Sequence, residues 1–506
     1  MDSIYSRTVR ICFTFLAAST FLLLQVRFLA NDLYNAQEFP LPQIIYTLAA
    51  LLITIAGTRI YRKHERKIRS FLVHHEKHIL AGTMVLYLIA HTVFCRLAYF
   101  STGWDASMIL SASWQEAIGN PQMINMRYFS IFPNNLLIVW IFAFLLKISG
   151  FLFHTPRLFF LTVVQIIESG IAAFLVYHIV KEETESIPAA FAAYFLSILF
   201  FGFSPWHIIP YTDAAAILLP VLVLRMFQIS LRKEGMIRYC LWFLTGFLSL
   251  VSFRLKPQAF IMAIAGMMTY FFCSLSAEKD RMNFLKASLA FVVGFVSFHL
   301  LFQNCMVPSL NIRTDDQMAV SSAHYLMMGL NTSTDGVFAD EDYDYSLAFK
   351  TKAERNSADL KMAEKRLRSL SFTQLIRHLG RKHLVNWHDG TFGWNGEGQF
   401  FAQKTDYAEQ PLSMFMTSFI SPDQKRYPLF LSFKQLLWTL ILMLCPCCMF
   451  CRKKSMTYSA AMLSVIGLAM FELLFEARAR YLFVFSPVLV ILACLGLHAL
   501  YEKRRS

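Results

Sequence analysis

Residues 79–107 read ILAGTMVLYLIAHTVFCRLAYFSTGWDAS. The first twenty are apolar enough to cross a bilayer, whose hydrocarbon core needs about 20 such residues of helix. The chain then leaves the apolar run and presents Asp105. A carboxylate at a membrane surface is costly to keep partly desolvated, so it generally has a chemical or structural task. Just upstream, residues 61–78 read YRKHERKIRSFLVHHEKH. By the positive-inside rule this basic stretch marks a cytoplasmic loop. One crossing later, 99–133 falls on the outer face.

Composition supports a membrane reading of the whole chain. Of 506 residues, 56% are hydrophobic and only 16% are charged, and the mean hydropathy is +0.47. A soluble domain could not hide that much apolar surface, whereas lipid can cover it. The 49 Phe and 20 Tyr point to packed interfacial surfaces and an apolar groove. The net charge of +14 sits in short loops between apolar runs, which argues against a nucleic-acid interface. Further basic markers are Arg232-Lys233, Lys279 with Arg281, Arg452-Lys453-Lys454 and Lys503-Arg504-Arg505. The 11–30 run reads as a retained first helix without a cleavage site. Cys445, Cys447, Cys448 and Cys451 cluster at a helix end; their spacing fits no standard zinc pattern, and they read as small apolar residues.

Thirteen apolar segments are expected: 11–30, 42–60, 79–98, 134–150, 158–180, 188–204, 214–229, 239–253, 259–275, 287–304, 430–447, 456–476 and 481–500. The charges put both termini in the cytoplasm, which requires an even number of crossings. The conflict falls between two outer loops, 99–133 and 205–213, so 134–150 or 158–180 is expected to be re-entrant or interfacial. The expected fold is therefore an all-α bundle of about 12–13 membrane helices. It divides into an N-terminal helix pair with a basic loop (1–78), a core with the Asp105 loop (79–304), a large, mostly helical external loop (305–429) and C-terminal helices with a basic tail (430–506). The external loop holds a helix near 350–380 and an acidic run, Asp340, Glu341, Asp342 and Asp344, read as solvated. Asn331-Thr332-Ser333 is read as a chance sequon.

Four polar features converge on the outer face in this topology: Asp105; His207 with Tyr211-Thr212-Asp213; the turn Arg254-Leu255-Lys256-Pro257; and Glu476-Ala477-Arg478-Ala479-Arg480-Tyr481. Cations stabilise a departing lipid phosphate. A carboxylate takes the proton of an attacking hydroxyl, and negative charge favours an oxocarbenium-like sugar. Plainer readings stand beside this one. Outer-face Arg and Lys can snorkel to headgroups, and Asp213 or Asp105 can cap the helix that follows it.

The order of these features resembles the GT-C superfamily of polytopic glycosyltransferases, which includes protein O-mannosyltransferases and bacterial lipid-A aminoarabinose transferases. GWDASMILSASW followed by RYFSIFPNNLL resembles the catalytic loop, and YTDAAAILLPVL the second acidic site. RLKPQAF resembles a Lys-Pro turn, and FEARARYLFVFSPVL the closing segment. MMGLNTSTDGVFADEDY and WHDGTFGWNGEGQFF resemble external-loop segments of a bacterial branch. Two departures are the extra N-terminal helix pair and the single Asp in place of an adjacent acidic pair. The resemblance implies an inverting transferase in a bacterial cytoplasmic membrane. It would move a monosaccharide from a polyprenyl-phosphate donor to a cell-wall or surface glycan on the outer face. Asp105 would be the general base. Asp213 would assist by holding acceptor, sugar or a divalent metal such as Mg or Mn. Lys256, Arg480, Arg254 and Arg478 would hold the donor phosphate. Arg127, Tyr211, His207, Trp387, His388 and Asp389 would shape the acceptor side. The rival readings are a flippase for a lipid-linked sugar and a glycan polymerase or ligase.

Overall fold

The structure is a computed structural model describing residues 2–27, 33–34, 38–398, 403–404, 410–451 and 455–503. It is an all-α polytopic bundle. The described strands are one antiparallel pair of two residues each, β1 (Phe100–Ser101) and β2 (Gln403–Lys404), with Phe100 opposite Lys404.

The first helix, α1 (Asp2–Gln25), starts at the basic end of the bundle, where Arg10 donates to the carbonyl of Cys451. It finishes at the Asp105 end, where Thr20 bonds His383. Helix α2 (Gln43–Leu97) corrects the expectation of a loop at 61–78, because the basic stretch is itself helical apart from a kink at His64. The kink folds α2 back on itself. Gln43 bonds Thr439 and Gln435, Tyr61 packs on Tyr501 at the basic end, and His91 returns to line one cavity with Lys434. Two spans survive as two arms. The basic residues of the turn keep their helical hydrogen bonds because their long side chains reach outward.

Beyond β1, α3 (Trp104–Ile118), α4 (Met126–Ile131) and α5 (Leu136–Phe153) stay at the Asp105 end. The start of α5 is tied to Tyr128 through Asn135. Its far end leads through His154–Pro156 to Phe159, which packs on Tyr99 and Arg96. The apolar segment 134–150 therefore lies along the Asp105 end, against α3, without traversing the bundle. Helix α6 (Phe159–Thr184) does traverse it, reaching the basic end where Lys181 pairs with Glu76. Helix α7 (Ile187–Ser197) returns and ends in a π-turn, Ile198–Gly202. Lys434 donates to the carbonyls of Leu199, Phe200 and Phe203 there, so the loosened turn has its acceptors satisfied.

The remaining spans are α8 (Thr212–Ala215) running into α9 (Leu218–Ser230), α10 (Gly235–Leu255), α11 (Ile261–Ser274) and α12 (Glu278–Leu301). After them comes a helical domain, the one that the charge pattern predicts to be external. It contains α13 (Ser322–Gly329), α14 (Asp340–Leu347), α15 (Lys352–Ser369), α16 (Phe372–Trp387) and α17 (Pro411–Thr417). Helices α18 (Tyr427–Leu444), α19 (Met456–Leu474) and α20 (Ser486–Lys503) close the chain. Lys503 lies 3.9 Å over the Phe450 ring, so both described ends of the chain sit at the basic end. Among the described residues eleven helical stretches are long and apolar enough to cross a membrane, with α2 counted once, and Ile187–Gly202 is shorter.

In the external domain the expected helix near 350–380 is two helices. Each opens with a capping box, Thr351 with Glu354 and Ser371 with Gln374. The acidic run is helical, and Asp340, Glu341 and Asp344 are exposed as expected. It forms α14, and Asp342 is buried against Arg366 at 2.5 Å. Asn331, of the sequon, donates its amide to Asp342. Arg355, also buried, donates to the carbonyls of Ser346, Gln317, Ala319 and Phe349, gathering two segments, 317–319 and 346–349. The domain is pinned to the bundle by Lys382 to the carbonyl of Leu473, Trp387 to Glu472, and the amide of Ala477 to the carbonyl of Gly336.

The cysteine cluster is a packing device. A 3-10 turn puts Cys445, Cys448 and Cys451 on one face, and their thiols donate to the carbonyls of Leu489, Leu492 and Leu495 on α20. The closest helix contact is α10 on α12. A Cβ on Gly246 would lie 1.9 Å from the carbonyl oxygen of Phe291, and one on Gly294 would lie 1.9 Å from that of Phe243. Such mutual glycine contacts bring membrane helices to backbone distance. Gly246→Ala and Gly294→Ala should each lower the thermal midpoint of the purified protein, with a cost of about 1–3 kcal/mol or more. Either variant melting like wild type would show that the two helices separate without cost.

Candidate functional site

The residue before Asp105 is held in an unusual backbone state. Trp104 has φ of +46°, a left-handed conformation that costs a bulky side chain free energy and persists only where surroundings enforce it. Here the surroundings are visible. Trp104 packs edge-on against Tyr211 at 4.8 Å, and Arg480 lies 4.8 Å over its ring. Asp105 follows in the first turn of α3, half-buried. The helix is preceded by Gly103 with no side-chain cap, so Asp105 is not the capping residue. It accepts from the Tyr211 hydroxyl at 3.5 Å, and Tyr128 lies nearby.

Three chain-distant turns meet beside it. Tyr211-Thr212-Asp213 enters α8, Lys256 stands where α10 stops and Pro257 begins the next turn, and Arg478–Tyr481 precede α20. Asp213, 1% exposed, lies 2.6 Å from Lys256 and 3.4 Å from Arg480, both 6% exposed. Lys256 also lies 4.4 Å from the centre of the Tyr481 ring, and Arg480 is 5.3 Å from that of Tyr211. Aromatic faces and one carboxylate thus hold two desolvated cations. Glu476 adds a second anchor, accepting from Arg478 at 2.8 Å and from the Tyr481 hydroxyl at 2.9 Å. Burial alone would raise the Glu476 pKa. Arg478, Arg480 and Tyr481 outweigh burial and hold it below the usual value.

Burial, then the nearby Asp105 charge, raises the pKa of Tyr128 and of Tyr211. Tyr325, from α13 of the external domain, is raised by burial and by Glu476 and Asp105. These phenols therefore remain protonated around the carboxylate. Tyr343, from α14, lies near both Arg127 and Asp105.

Residues 1–500 match the family described as conserved hypothetical integral membrane protein, CHIM_prot. The chain belongs to this family. Among solved structures, this CHIM_prot chain is similar to the archaeal oligosaccharyltransferase AglB from Archaeoglobus fulgidus, in complex with an inhibitory peptide and a dolichol-phosphate. The identity is 13% and the TM-score 0.42, over 85% of this chain and 51% of that one. The chain thus spans about half the length of that protein. No curated protein matches.

The structure gathers Asp105, Tyr211, Asp213, Lys256 and Arg480. It turns other candidates elsewhere. The buried His207 bonds His91 at 3.0 Å and the carbonyl of Ser204 at 3.0 Å. Burial pushes its pKa down to about 3, so it is a neutral packing histidine and not a group presented to an acceptor. The Arg254 guanidinium lies 4.9 Å over Phe302, away from Asp213. Trp387 is buried, with its indole on Glu472. Asp389 accepts from Thr391 and the amide of Gly393, closing a turn. His388, Asp389 and Arg478 line a separate crevice beneath the external domain. The sequence reading missed Tyr128, Trp104, Tyr325, Glu476 and Tyr481 as site residues. Tyr128 and Trp104 lie inside the quoted motifs, and their neighbourhood to Asp105 was the available signal. Tyr325 comes from a distant loop.

Both Asp213 oxygens face cations, Oδ1 the Lys256 ammonium and Oδ2 the Arg480 guanidinium. Among the described residues no group of three or more His, Cys, Asp or Glu is placed to hold a metal ion. Removing one member of a buried ion group leaves its partners uncompensated, at a cost of about 3–5 kcal/mol. Asp213→Ala should therefore lower the thermal midpoint markedly. Asp213→Asn combined with Lys256→Met should recover part of the loss. Additive losses in the pair would show that the two side chains do not act together.

Proposed function

We propose that the Asp105 end is the active site of an inverting, GT-C-like glycosyltransferase. It takes a monosaccharide from a polyprenyl-phosphate donor and passes it to a cell-wall or surface glycan at the outer face of a bacterial cytoplasmic membrane. The observation that carries this reading is the meeting of one half-buried carboxylate, Asp105, with two buried cations, Lys256 and Arg480, at the mouth of an apolar bundle.

The chemistry follows from their positions. An acceptor hydroxyl oxygen forms a bond to the sugar's anomeric carbon, and the bond from that carbon to the phosphate oxygen breaks. The hydroxyl proton goes to Asp105. The bonding pair goes to the lipid phosphate, whose growing charge Lys256 and Arg480 stabilise in a site with little water. A single displacement inverts the anomeric centre. Asp213 holds the two cations in place, which is its contribution on this reading. Tyr211 orients Asp105. Arg478, held by Glu476, lines with His388 and Asp389 a crevice that would take the acceptor, and Arg127 lies near Tyr343.

The test uses purified full-length protein in detergent with synthetic polyprenyl-phosphate sugars and counts freed polyprenyl phosphate. Wild type should turn over. Asp105→Asn should lose at least about a hundredfold in kcat, in the range a positioned general base supplies. Lys256→Met should lower kcat with a smaller change in donor KM. Equal turnover in wild type and Asp105→Asn would remove the base assignment. Saturable lipid binding with no turnover for any donor would favour a flippase, and turnover only with diphosphate-linked oligosaccharides a polymerase or ligase.

A further inference from the structure

Between the returning arm of α2 and the start of α18 lies a cavity of about 380 Å³, within the range of about 300–1,000 Å³ typical of ligand pockets. Its walls are mainly phenylalanine: Phe94 from α2, Phe203 from the turn after α7, and Phe430 and Phe433 from α18. Two buried polar side chains also line it, His91 at 0% exposed and Lys434 at 3% exposed. The rim is open and apolar, with Leu429 62% and Phe433 44% exposed.

The histidine pair fixes where the His91 hydrogen lies. His207 Nδ1 is 3.0 Å from the carbonyl oxygen of Ser204, and a carbonyl oxygen only accepts. His207 Nδ1 therefore carries a hydrogen. His91 Nε2 lies 3.0 Å from that same nitrogen, so it presents its lone pair. The Cys95 thiol, 3.6 Å away, faces the same lone pair. A neutral imidazole has one N–H, which puts the His91 hydrogen on Nδ1. The Lys434 ammonium on the same cavity disfavours a second positive charge on the ring. Among the described residues no hydrogen-bond partner meets His91 Nδ1, although it is buried. The neighbouring rings of Tyr87, Phe94 and Phe203 offer only π faces, which are weaker acceptors than oxygen. A buried N–H without an acceptor is costly, so this cavity is suited to receive an oxygen. Lys434 gives its three hydrogens to the carbonyls of Leu199, Phe200 and Phe203. It has no donor left for a ligand, but its positive charge favours an electronegative atom nearby.

We propose that the cavity seats one acyl chain of a diacyl glycerophospholipid from the leaflet at the Asp105 end, with an ester carbonyl of that lipid accepting from His91 Nδ1. The chain lies among the four phenylalanines. The exposed Arg426, 6.0 Å from the centre of the Phe419 ring that also lines the cavity, is the cation for the lipid phosphate at the mouth. A polyprenyl chain would fill the same walls, but it carries no oxygen beyond its phosphate and would leave His91 unmet. His207 joins His91 to the turn that delivers Tyr211 and Asp213, so the lipid braces that turn from behind. The proposal does not rest on the glycosyl-transfer reading.

The experiment compares two probes on delipidated full-length protein in detergent: a diacyl phosphatidylcholine and the dialkyl ether phosphatidylcholine with the same chains. They differ in the ester carbonyls alone. Binding counted by native mass spectrometry should favour the diacyl lipid by about three- to tenfold, the worth of one hydrogen bond. His91→Phe should still bind the ether lipid and should lose the preference. Arg426→Gln should weaken both lipids alike and keep their ratio. A diacyl lipid with a diazirine in its chain should cross-link to Phe94, Phe430 or Phe433. Equal affinity of wild type for the two lipids would overturn the proposal. So would a preference that survives in His91→Phe. If His91→Phe melts early, the cross-links decide: none on these three residues overturns the proposal. Displacement of the diacyl lipid from them by an equal concentration of polyprenyl phosphate would also overturn it, and would give the cavity to the donor chain.

Discussion

The buried triad of Asp213, Lys256 and Arg480 is the constraint on which the Asp105 end depends. Each charge comes from a different turn, and each would be costly to bury alone. Lys256 is placed by the end of α10, where its own amide still bonds the carbonyl of Ser252 and Pro257 prevents the helix from continuing. Arg480 is placed by the 3-10 turn that feeds α20. Asp213 lies in the one-turn helix α8, with the phenol of Tyr211 two residues earlier. A shift of any one turn would leave the remaining charges unbalanced, so three segments, the outermost 267 residues apart, share one register.

A second set of contacts makes this end a covered site. The helical domain between α12 and α18 places Tyr325 and Tyr343 near Asp105, and Lys382 and Trp387 fasten it to the end of α19. The Lys382 ammonium is buried on carbonyls, and burial pushes its pKa down to about 7. The buried cation is tolerated because backbone oxygens replace its water shell. At the other wall, α5 packs on α3 and carries Asn135 into the same space. That explains why a segment as apolar as 134–150 remains at this end: its polar start is committed to Tyr128.

Much of this was legible in the sequence because it depends on local chemistry. Hydropathy located the thirteen apolar helices, and charge placed the basic turns at one end. The parity of crossings confined the non-traversing segment to two candidates. The quoted acidic and basic turns contain Asp105, Asp213, Lys256 and Arg480, and these do meet. What was not legible depends on packing between distant segments. His207 looked like a site residue because it precedes Tyr211, yet His91, more than a hundred residues away, draws it into the core. Arg254 and Lys256 are near neighbours in sequence, but the end of α10 sends one to Phe302 and the other to Asp213. Asp342 reads as solvated until Arg366 arrives on α15. The helical 61–78 stretch defeated a loop assignment because basic residues are good helix formers and the turn is made by a single non-helical residue, His64.

The charges at the site suggest how resting stability and chemistry are reconciled. Glu476 and Arg478 balance one another. Lys256 and Arg480 are balanced by Asp213 and by the nearby Asp105, so the cluster is neutral overall before a substrate binds. On the proposed reading, proton transfer to Asp105 removes one of those negative charges as the donor phosphate gains one. The cations lose a balancing carboxylate as the leaving group needs them. Preorganised dipoles and charges of this kind need little rearrangement during reaction, which is the main source of electrostatic rate acceleration. The strained backbone at Trp104 fits the same account, because it sets the start of α3 where Asp105 meets the Tyr211 hydroxyl.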